Sequence, residues 1–347
     1  MAIQKRQGTR HWASKIVPFL LFVALFSPAC TAQNEGQYTH FMFNRLSYNP
    51  AYAGSSGAIS FTLLYNNQWL GLNLQSPLPN VDPGKTPTNY LFSFDMPISW
   101  LHGGIGLLFN SQSIGYHNNT TIDIDYAFRL YWGPGNLSAA VEANLYSFGF
   151  NTENLYGCTD LTGDPSNPTS GGGDPAVNGE NVSDFMVDFS TGLYYQVPGE
   201  WYASLSVKNL LGSKSEKLNY QNARTLYLMG GYEYTFPFNP SIKFKPSVLI
   251  KSANFSVYQA EVAMLLDYEN AFWGGVGYRL RDAFTFMAGI NWKWAKIGVA
   301  YDLTASKLGV YKSGRSHGTI EIFLNGSFRI VKEKEKPTVS RNTRYLL

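Results

Sequence analysis

The feature that most limits this chain is an apolar/polar alternation with a period of two, begun at Ala58 and renewed until Ile330. Such a period puts one set of side chains on each face of a β-strand. Candidate strands fall at about 58–69, 88–97, 103–114, 118–132, 135–149, 185–197 and 201–208. Others follow at about 224–236, 242–252, 255–268, 272–281, 284–292, 296–303 and 319–330. In the fourth, Ile122, Ile124, Tyr126, Phe128 and Leu130 share one face, and Asp123, Asp125, Ala127 and Arg129 the other. The sixth sets Phe185, Val187, Phe189, Leu193, Tyr195 and Val197 against Asp188, Ser190, Gly192 and Gln196. The last sets Ile320, Ile322, Leu324, Phe328 and Ile330 against Glu321, Asn325, Ser327 and Arg329. Many of these segments approach the roughly 9–11 residues that a tilted strand needs to cross a bilayer.

A soluble sandwich would alternate in the same way, because it too buries one face of each strand. Loop length separates the two. All the long connections follow odd-numbered strands: Leu70–Pro87, Phe150–Asp184, Asn209–Ala223 and Thr304–Gly318. Even-numbered strands are followed by tight ones: Ile98–His102, Gly133–Pro134, Pro198–Glu200, Pro237–Ser241, Glu269–Ala271 and Lys293–Ala295. Short periplasmic turns and longer external loops belong to outer-membrane barrels. The tight turns are edged by Trp100, Trp132, Trp201, Phe236, Phe238, Phe272, Trp273, Trp292 and Trp294, as in an interfacial girdle. The fold class expected is therefore all-β: a transmembrane antiparallel outer-membrane β-barrel over 58–330, of about 14 strands (12–16).

The face opposite the apolar one carries Asp95, Asp123, Asp125, Arg129, Glu142, Asp188, Lys208, Glu233, Lys243, Lys245, Lys251, Glu261, Asp267, Arg279, Lys293, Asp302, Glu321 and Arg329. Mixed signs suit a wet or hydrogen-bonded lumen better than a single-sign ion filter.

Residues 1–32 read as a secretory signal peptide: Lys5, Arg6, Arg10 and Lys15 precede an apolar run from Ile16 to Phe26. Cleavage after Ala32 leaves Gln33 first; cleavage after Ala29 would leave Cys30 as a candidate for lipidation. Cys158 is the one other cysteine, so no intrachain disulfide framework is expected. The whole chain has 27 basic and 24 acidic residues, and removing this acid-free leader brings it close to neutrality. Nucleic acid is not an expected partner. Residues 33–57 form an N-terminal periplasmic or lumen-plugging segment, and 331–347 a basic periplasmic tail.

Chemistry is sparse. The histidines are scattered and lack metal-ligand spacing. Gly103-Gly104-Ile105-Gly106 and Gly274-Gly275-Val276-Gly277 have no helix after them to cradle a phosphate, and read as strand glycines that relieve crowding. Ser113 and His117 are close in sequence without a third polar group to orient them. Asp160–Asp184 holds Asp164, Asn167, Asp174 and Asn178, oxygen ligands that Ca²⁺ would accept, although a plain external loop accounts for them. Neither catalysis nor a cofactor is expected.

The lead-in to the first strand is more specific. Gln37-Tyr38-Thr39-His40-Phe41-Met42-Phe43-Asn44, then Tyr48-Asn49-Pro50-Ala51-Tyr52-Ala53-Gly54 and Asn67-Gln68-Trp69, resembles the start of the PorP/SprF family. Those are outer-membrane proteins of the type IX secretion and gliding apparatus of Bacteroidetes. Over the rest of the mature chain the resemblance is one of general character: length, Gly- and aromatic-rich strands, and a barrel ending near the C-terminus. The tail Val331–Leu347 departs from it. The resemblance implies a non-enzymatic role, as partner or surface anchor of a secreted adhesin-like protein or as a link to periplasmic secretion components. A passive or substrate-selective channel is the alternative, since a polar lumen serves both. Asn-Pro and Ala-Gly let the Tyr48–Gly54 segment turn sharply. It is expected either to fold into the lumen as a plug or to face the periplasmic machinery.

Overall fold

A computed structural model describes residues 36–70, 85–150, 181–305 and 317–329. Residues 1–32, where a signal peptide is expected, Cys30 among them, most of the loop Asp160–Asp184 and the tail from Ile330 onward lie outside the described residues.

Fourteen strands close into one antiparallel barrel. They are β1 (Ala58–Asn67), β2 (Lys85–Ile98), β3 (Gly103–Gly115), β4 (His117–Trp132), β5 (Gly135–Phe150), β6 (Val182–Val197) and β7 (Trp201–Lys208). The eighth, β8, runs over Thr225–Tyr232 and Tyr234–Phe236 and is interrupted at Glu233. The remainder are β9 (Asn239–Ala253), β10 (Val257–Tyr268), β11 (Phe272–Arg279), β12 (Ala283–Trp292), β13 (Ala295–Thr304) and β14 (Thr319–Arg329). Each pairs with its sequence neighbour, and β1 closes on β14 over ten residue pairs, with Leu63 opposite Leu324. Closure joins the two ends of the sheet, as hydrocarbon surroundings require.

The outward face is apolar: Leu63, Leu107, Ile124, Val141, Phe189 and Phe286 are all exposed. At the tight-turn end Trp100, Trp132, Trp201, Phe238, Phe272, Trp292 and Trp294 point outward too. Trp273 is a correction to the expected girdle. It faces the lumen, 5% exposed, because it sits one residue out of phase with Phe272. Lys293 and Arg329 are also corrections: both are exposed at the tight-turn rim rather than inside.

The wall is uneven in height. The strands β4, β5 and β6 each have 16 residues, whereas β7 and β11 have 8. At about 3.3 Å per residue the tall side rises roughly twice as far. The surplus stands at the long-loop, extracellular end, where β6 above Thr191 has no β7 partner. Loop 209–224 covers this gap: Asp188 accepts from the Leu211 and Ser213 amides, and the Leu210 amide donates to Phe189 O. A short ladder of Lys214–Ser215 with Tyr220–Gln221 stiffens the loop. Its Leu218 and Tyr220 cap an apolar cluster of Tyr146, Phe148 and Met186.

Candidate functional site

The lumen is filled by the chain's own segment 36–57. Tyr38, Phe41, Met42, Leu46, Tyr48, Ala51 and Ala53 form one buried cluster with inward residues of the wall, among them Leu64, Leu108, Met229, Leu265, Met287 and Phe323. Burial of this kind contributes about 25 cal/mol per Å² of apolar surface, so the segment is bound by the same force that holds a soluble core.

Its path has a direction. Gly36 lies beside Asn89, and Tyr38 Oη donates to Asn110 at 3.1 Å. Both asparagines are in the extracellular halves of β2 and β3. The other end lies at the periplasmic rim. There Gly54 N donates to Asp95 Oδ2 at 2.9 Å, and Arg129 donates to the carbonyls of Gly54 (2.9 Å) and Ala53 (2.8 Å). Gln196 Nε2 donates to Ser55 O at 2.7 Å. Gly54 has φ +66°, and a Cβ there would lie 2.8 Å from Met96 O, so only glycine makes this turn.

The upper latch is Glu321 of β14. One carboxylate accepts from Thr39 N (2.8 Å), His40 N (2.7 Å) and Asn66 Nδ2 (2.9 Å), while His40 Nδ1 lies 2.6 Å from Oε1. An ionised carboxylate has only acceptors to offer, so Nδ1 carries the proton of that contact. Asp302 takes the Thr39 hydroxyl at 2.8 Å and is held in turn by Arg279, which also pairs with Glu261. Below this, Phe43 stacks on Phe323 at 5.1 Å, and the Lys296 ammonium stands 4.4 Å above the Phe43 ring.

The Tyr48–Gly54 segment is placed inside the barrel. Asn49 joins three elements at once. Its Nδ2 donates to Leu193 O and Ser204 Oγ, both at 2.8 Å, while its Oδ1 accepts from Ala51 N and caps the 3-10 turn Pro50–Tyr52. Pro50 at the first position of that turn gives up no needed amide. Ser206 Oγ donates to Tyr48 O, and Tyr48 packs edge-on against Tyr38 and Tyr227. Arg45 lies 3.8 Å over the Tyr202 ring and donates to Tyr194 Oη at 3.0 Å.

Asn67, Gln68 and Trp69 are a different matter. The strand ends at Asn67 rather than Trp69, and Trp69 turns the chain at φ +56°. Gln68 N donates to Pro87 O and Leu70 N to Gly318 O. This trio fixes the extracellular end of β1 and lies at the opposite end of the barrel from Gly54.

Most of the charged wall residues are dry. Asp95, Asp123, Asp125, Glu142, Asp188, Lys208, Glu261, Asp267, Arg279, Asp302 and Glu321 are buried. Lys208 joins Asp123 (3.1 Å) and Glu142 (3.4 Å), and Asn144 donates to both carboxylates. The lumen-facing charges are thus enclosed, and many of them are hydrogen-bonded. Among the described residues, cavities flank the segment. One of about 150 Å³ opens near the periplasmic turn Pro198–Glu200, and one of about 70 Å³ lies under loop 209–224. The segment separates them.

The sequence pairing of Ser113 with His117 does not form: Ser113 Oγ donates to Asn118 Oδ1 at 2.8 Å, and the His117 ring rests on Phe150. Among the described residues no group of His, Cys, Asp and Glu has the arrangement to hold a metal ion.

Gly192 is the sharpest test of the fit. A Cβ there would lie 2.0 Å from Asn49 Oδ1. Gly192→Ala is expected to displace Asn49 at a cost of about 1–3 kcal/mol, raising the proteolysis rate of residues 45–55 by roughly 10–100-fold. Unchanged cleavage in detergent would show that the segment is not seated against β6.

A family model described as "Type IX secretion system membrane protein PorP/SprF" matches residues 30–325. No curated protein matches the chain. Among solved structures, Omp33 of Acinetobacter baumannii is 6% identical with a TM-score of 0.42, covering 78% of this chain and 99% of its own. A deltaS2S3 mutant of the TodX monoaromatic hydrocarbon channel is 11% identical with a TM-score of 0.46, covering 82% and 94%. A Pseudomonas aeruginosa FadL homologue is 11% identical with a TM-score of 0.41, covering 82% and 93%.

Proposed function

This chain belongs to the PorP/SprF family of type IX secretion system membrane proteins, and we propose that it acts there as a non-enzymatic partner or surface anchor for a secreted, adhesin-like protein. It resides in the outer membrane as a multi-pass barrel. The observation that carries the proposal is the filled lumen: segment 36–57 bonds to β1, β2, β3, β4, β6, β7, β13 and β14, and two of the spaces beside it are about 150 and 70 Å³. A barrel closed in this way is fitted to hold a partner, not to pass solutes. The tall β4–β6 wall, with loop 209–224 folded against it, offers an ordered platform at the extracellular end. Periplasmic secretion components are the second class of partner, contacting the tight-turn end.

Crosslinking in native outer membranes followed by affinity capture tests the proposal. A secreted surface protein or a secretion component should be recovered, and recovery of neither would overturn it. The competing reading, a passive or substrate-selective channel, requires steady single-level conductance from the intact purified protein. Deleting Thr162–Ala176, which lies outside the described residues, is expected to leave heat-modifiable migration intact and to reduce surface retention of the partner. Lost heat-modifiability would make that loop structural.

A further inference from the structure

We propose that the cavity of about 150 Å³ beside the periplasmic turn Pro198–Glu200 is a binding site for a single carboxylate, with Arg45 as its principal donor. The cavity lies where β8 is interrupted at Glu233. Its walls come from that turn, from β8 and β9, and from Met42, Phe43 and Arg45 of the luminal segment.

Arg45 is half-buried, and among the described residues no carboxylate is paired with it. Its guanidinium is held by neutral groups instead. Met42 O accepts from Nε at 2.9 Å, Tyr194 Oη accepts from Nη1 at 3.0 Å, and the Tyr202 ring lies 3.8 Å from Cζ. Nη2 has no hydrogen bond among the described residues. A guanidinium fixed in this way keeps its charge unbalanced, and its planar fork matches a carboxylate. The surroundings carry the same surplus. Lys243 and Lys245 pair with Glu233 at 2.7 and 3.7 Å, and Lys245 with Asp267 at 3.0 Å. Lys296 stands 4.4 Å over the Phe43 ring and, like Arg45, has no carboxylate partner among the described residues. Arg45, Lys243, Lys245 and Lys296 thus stand against Glu233 and Asp267, with Glu200 exposed at the mouth.

A second observation points to a guest. Tyr202 is 8% exposed, and its Oη has no hydrogen-bond partner among the described residues. That hydroxyl lies against Gly231, where an added Cβ would stand 2.9 Å from it, and Gly231 lines the cavity. Buried polar groups are seldom left unmatched, and a carboxylate in this cavity offers an acceptor to Tyr202 and Arg45 together. A cavity of this volume admits a group about the size of benzene. That is room for a carboxylate on a short methylene stem, packed on Met42, Phe43 and Leu265. The second charge of a phosphate would meet Glu233 and Glu200. The carboxylate belongs either to an acidic side chain of a periplasmic protein or to a free organic acid. The inference rests on the cavity's own residues and stands whether or not the proposed partner role holds.

The test is a saturation-transfer NMR titration of the full-length protein, purified in detergent, at constant ionic strength. The probes are acetate, an end-blocked Gly-Gly-Glu-Gly-Gly peptide and its Gln counterpart. Preference for the acidic peptide over the Gln peptide by about tenfold or more identifies a side chain as the ligand, and saturation by acetate alone identifies a free acid. Either result supports the site. Arg45→Gln is expected to weaken that binding about tenfold or more, as loss of a charged hydrogen bond should. Glu233→Gln leaves Arg45 in place and removes a competing carboxylate, so it is expected to tighten binding roughly two- to fivefold. Heat-modifiable migration certifies that each variant is folded. No saturable binding of acetate or the acidic peptide below about 10 mM would overturn the proposal, and so would unchanged affinity in folded Arg45→Gln. If Arg45→Gln does not fold, Glu233→Gln decides: tighter binding supports the site, and unchanged or weaker binding overturns it.

Discussion

Glu321→Ala is expected to release the upper end of the luminal segment while leaving the barrel closed. The substitution removes one acceptor from four donors, two of them backbone amides: Thr39 N, His40 N, His40 Nδ1 and Asn66 Nδ2. A buried donor left unmatched costs about 1–3 kcal/mol, and breaking a buried charged contact by deleting one side costs about 3–5 kcal/mol. Taken as the free energy of local opening, about 3–5 kcal/mol is roughly two to three and a half orders of magnitude in hydrogen-exchange protection of the Thr39 and His40 amides. Glu321→Gln should fall between, because it keeps an acceptor oxygen and loses the charge. Amides in the β1–β14 ladder, such as that of Leu63 opposite Leu324, should keep their protection, since backbone pairing there does not depend on the side chain. Protection at Thr39 and His40 unchanged in Glu321→Ala would show that apolar packing alone seats the segment.

The strands were legible because a membrane barrel enforces alternation on one face absolutely: Ile122, Ile124, Phe128 and Leu130 have only lipid to meet. The sorting of loops by strand parity is equally physical, since only one end of the barrel is free to carry long connections. The filled lumen was much less legible. Its signal is the places where alternation fails: Leu63-Leu64, Leu107-Leu108, Leu265-Leu266 and Ile322-Phe323-Leu324 put apolar residues on both faces. Leu64, Leu108, Leu265 and Phe323 are the ones that turn inward and pack on segment 36–57. An inward apolar band means that something dry lies against it, yet in a single strand it looks like noise in the pattern. Trp273 was misread for the same reason. Beside Phe272 at a tight turn it resembles a second girdle residue, but it packs against His40, Phe43 and Phe323 inside. The charged wall residues were legible as inward and not as dry, because dryness depends on partners such as Thr39 for Asp302 that come from 263 residues away.

Deletion of residues 36–53, leaving Gly54 to lead into β1, is expected to turn a closed barrel into a conducting one. Barrel interior width grows with strand number, and eight strands already make a barrel whose side chains just fill it. Fourteen leave an interior that wall side chains cannot fill, and here the remainder is supplied by Phe41, Met42, Phe43, Leu46, Tyr48 and their neighbours. Without them the carboxylates of Asp302 and Glu321 lose Thr39 and His40, the guanidinium of Arg129 loses the Ala53 carbonyl, and these groups regain water. Hydration offsets the lost hydrogen bonds, so the wall, whose fourteen ladders are untouched, has no reason to collapse. In planar bilayers the expected change is from no steady current to a persistent open level, and cells should become sensitive to large hydrophilic antibiotics that the outer membrane normally excludes. The two functional readings part at this point. If the intact protein already carries the same steady current, the segment is not a seal and the channel reading gains. If the deletion variant is folded, as heat-modifiable migration would show, yet carries no current, the lumen is closed by the wall or by the extracellular loops, and residues 36–53 serve docking alone. If only the deletion conducts, closure belongs to the segment itself, and any cargo-holding role must be exercised by a barrel that stays shut.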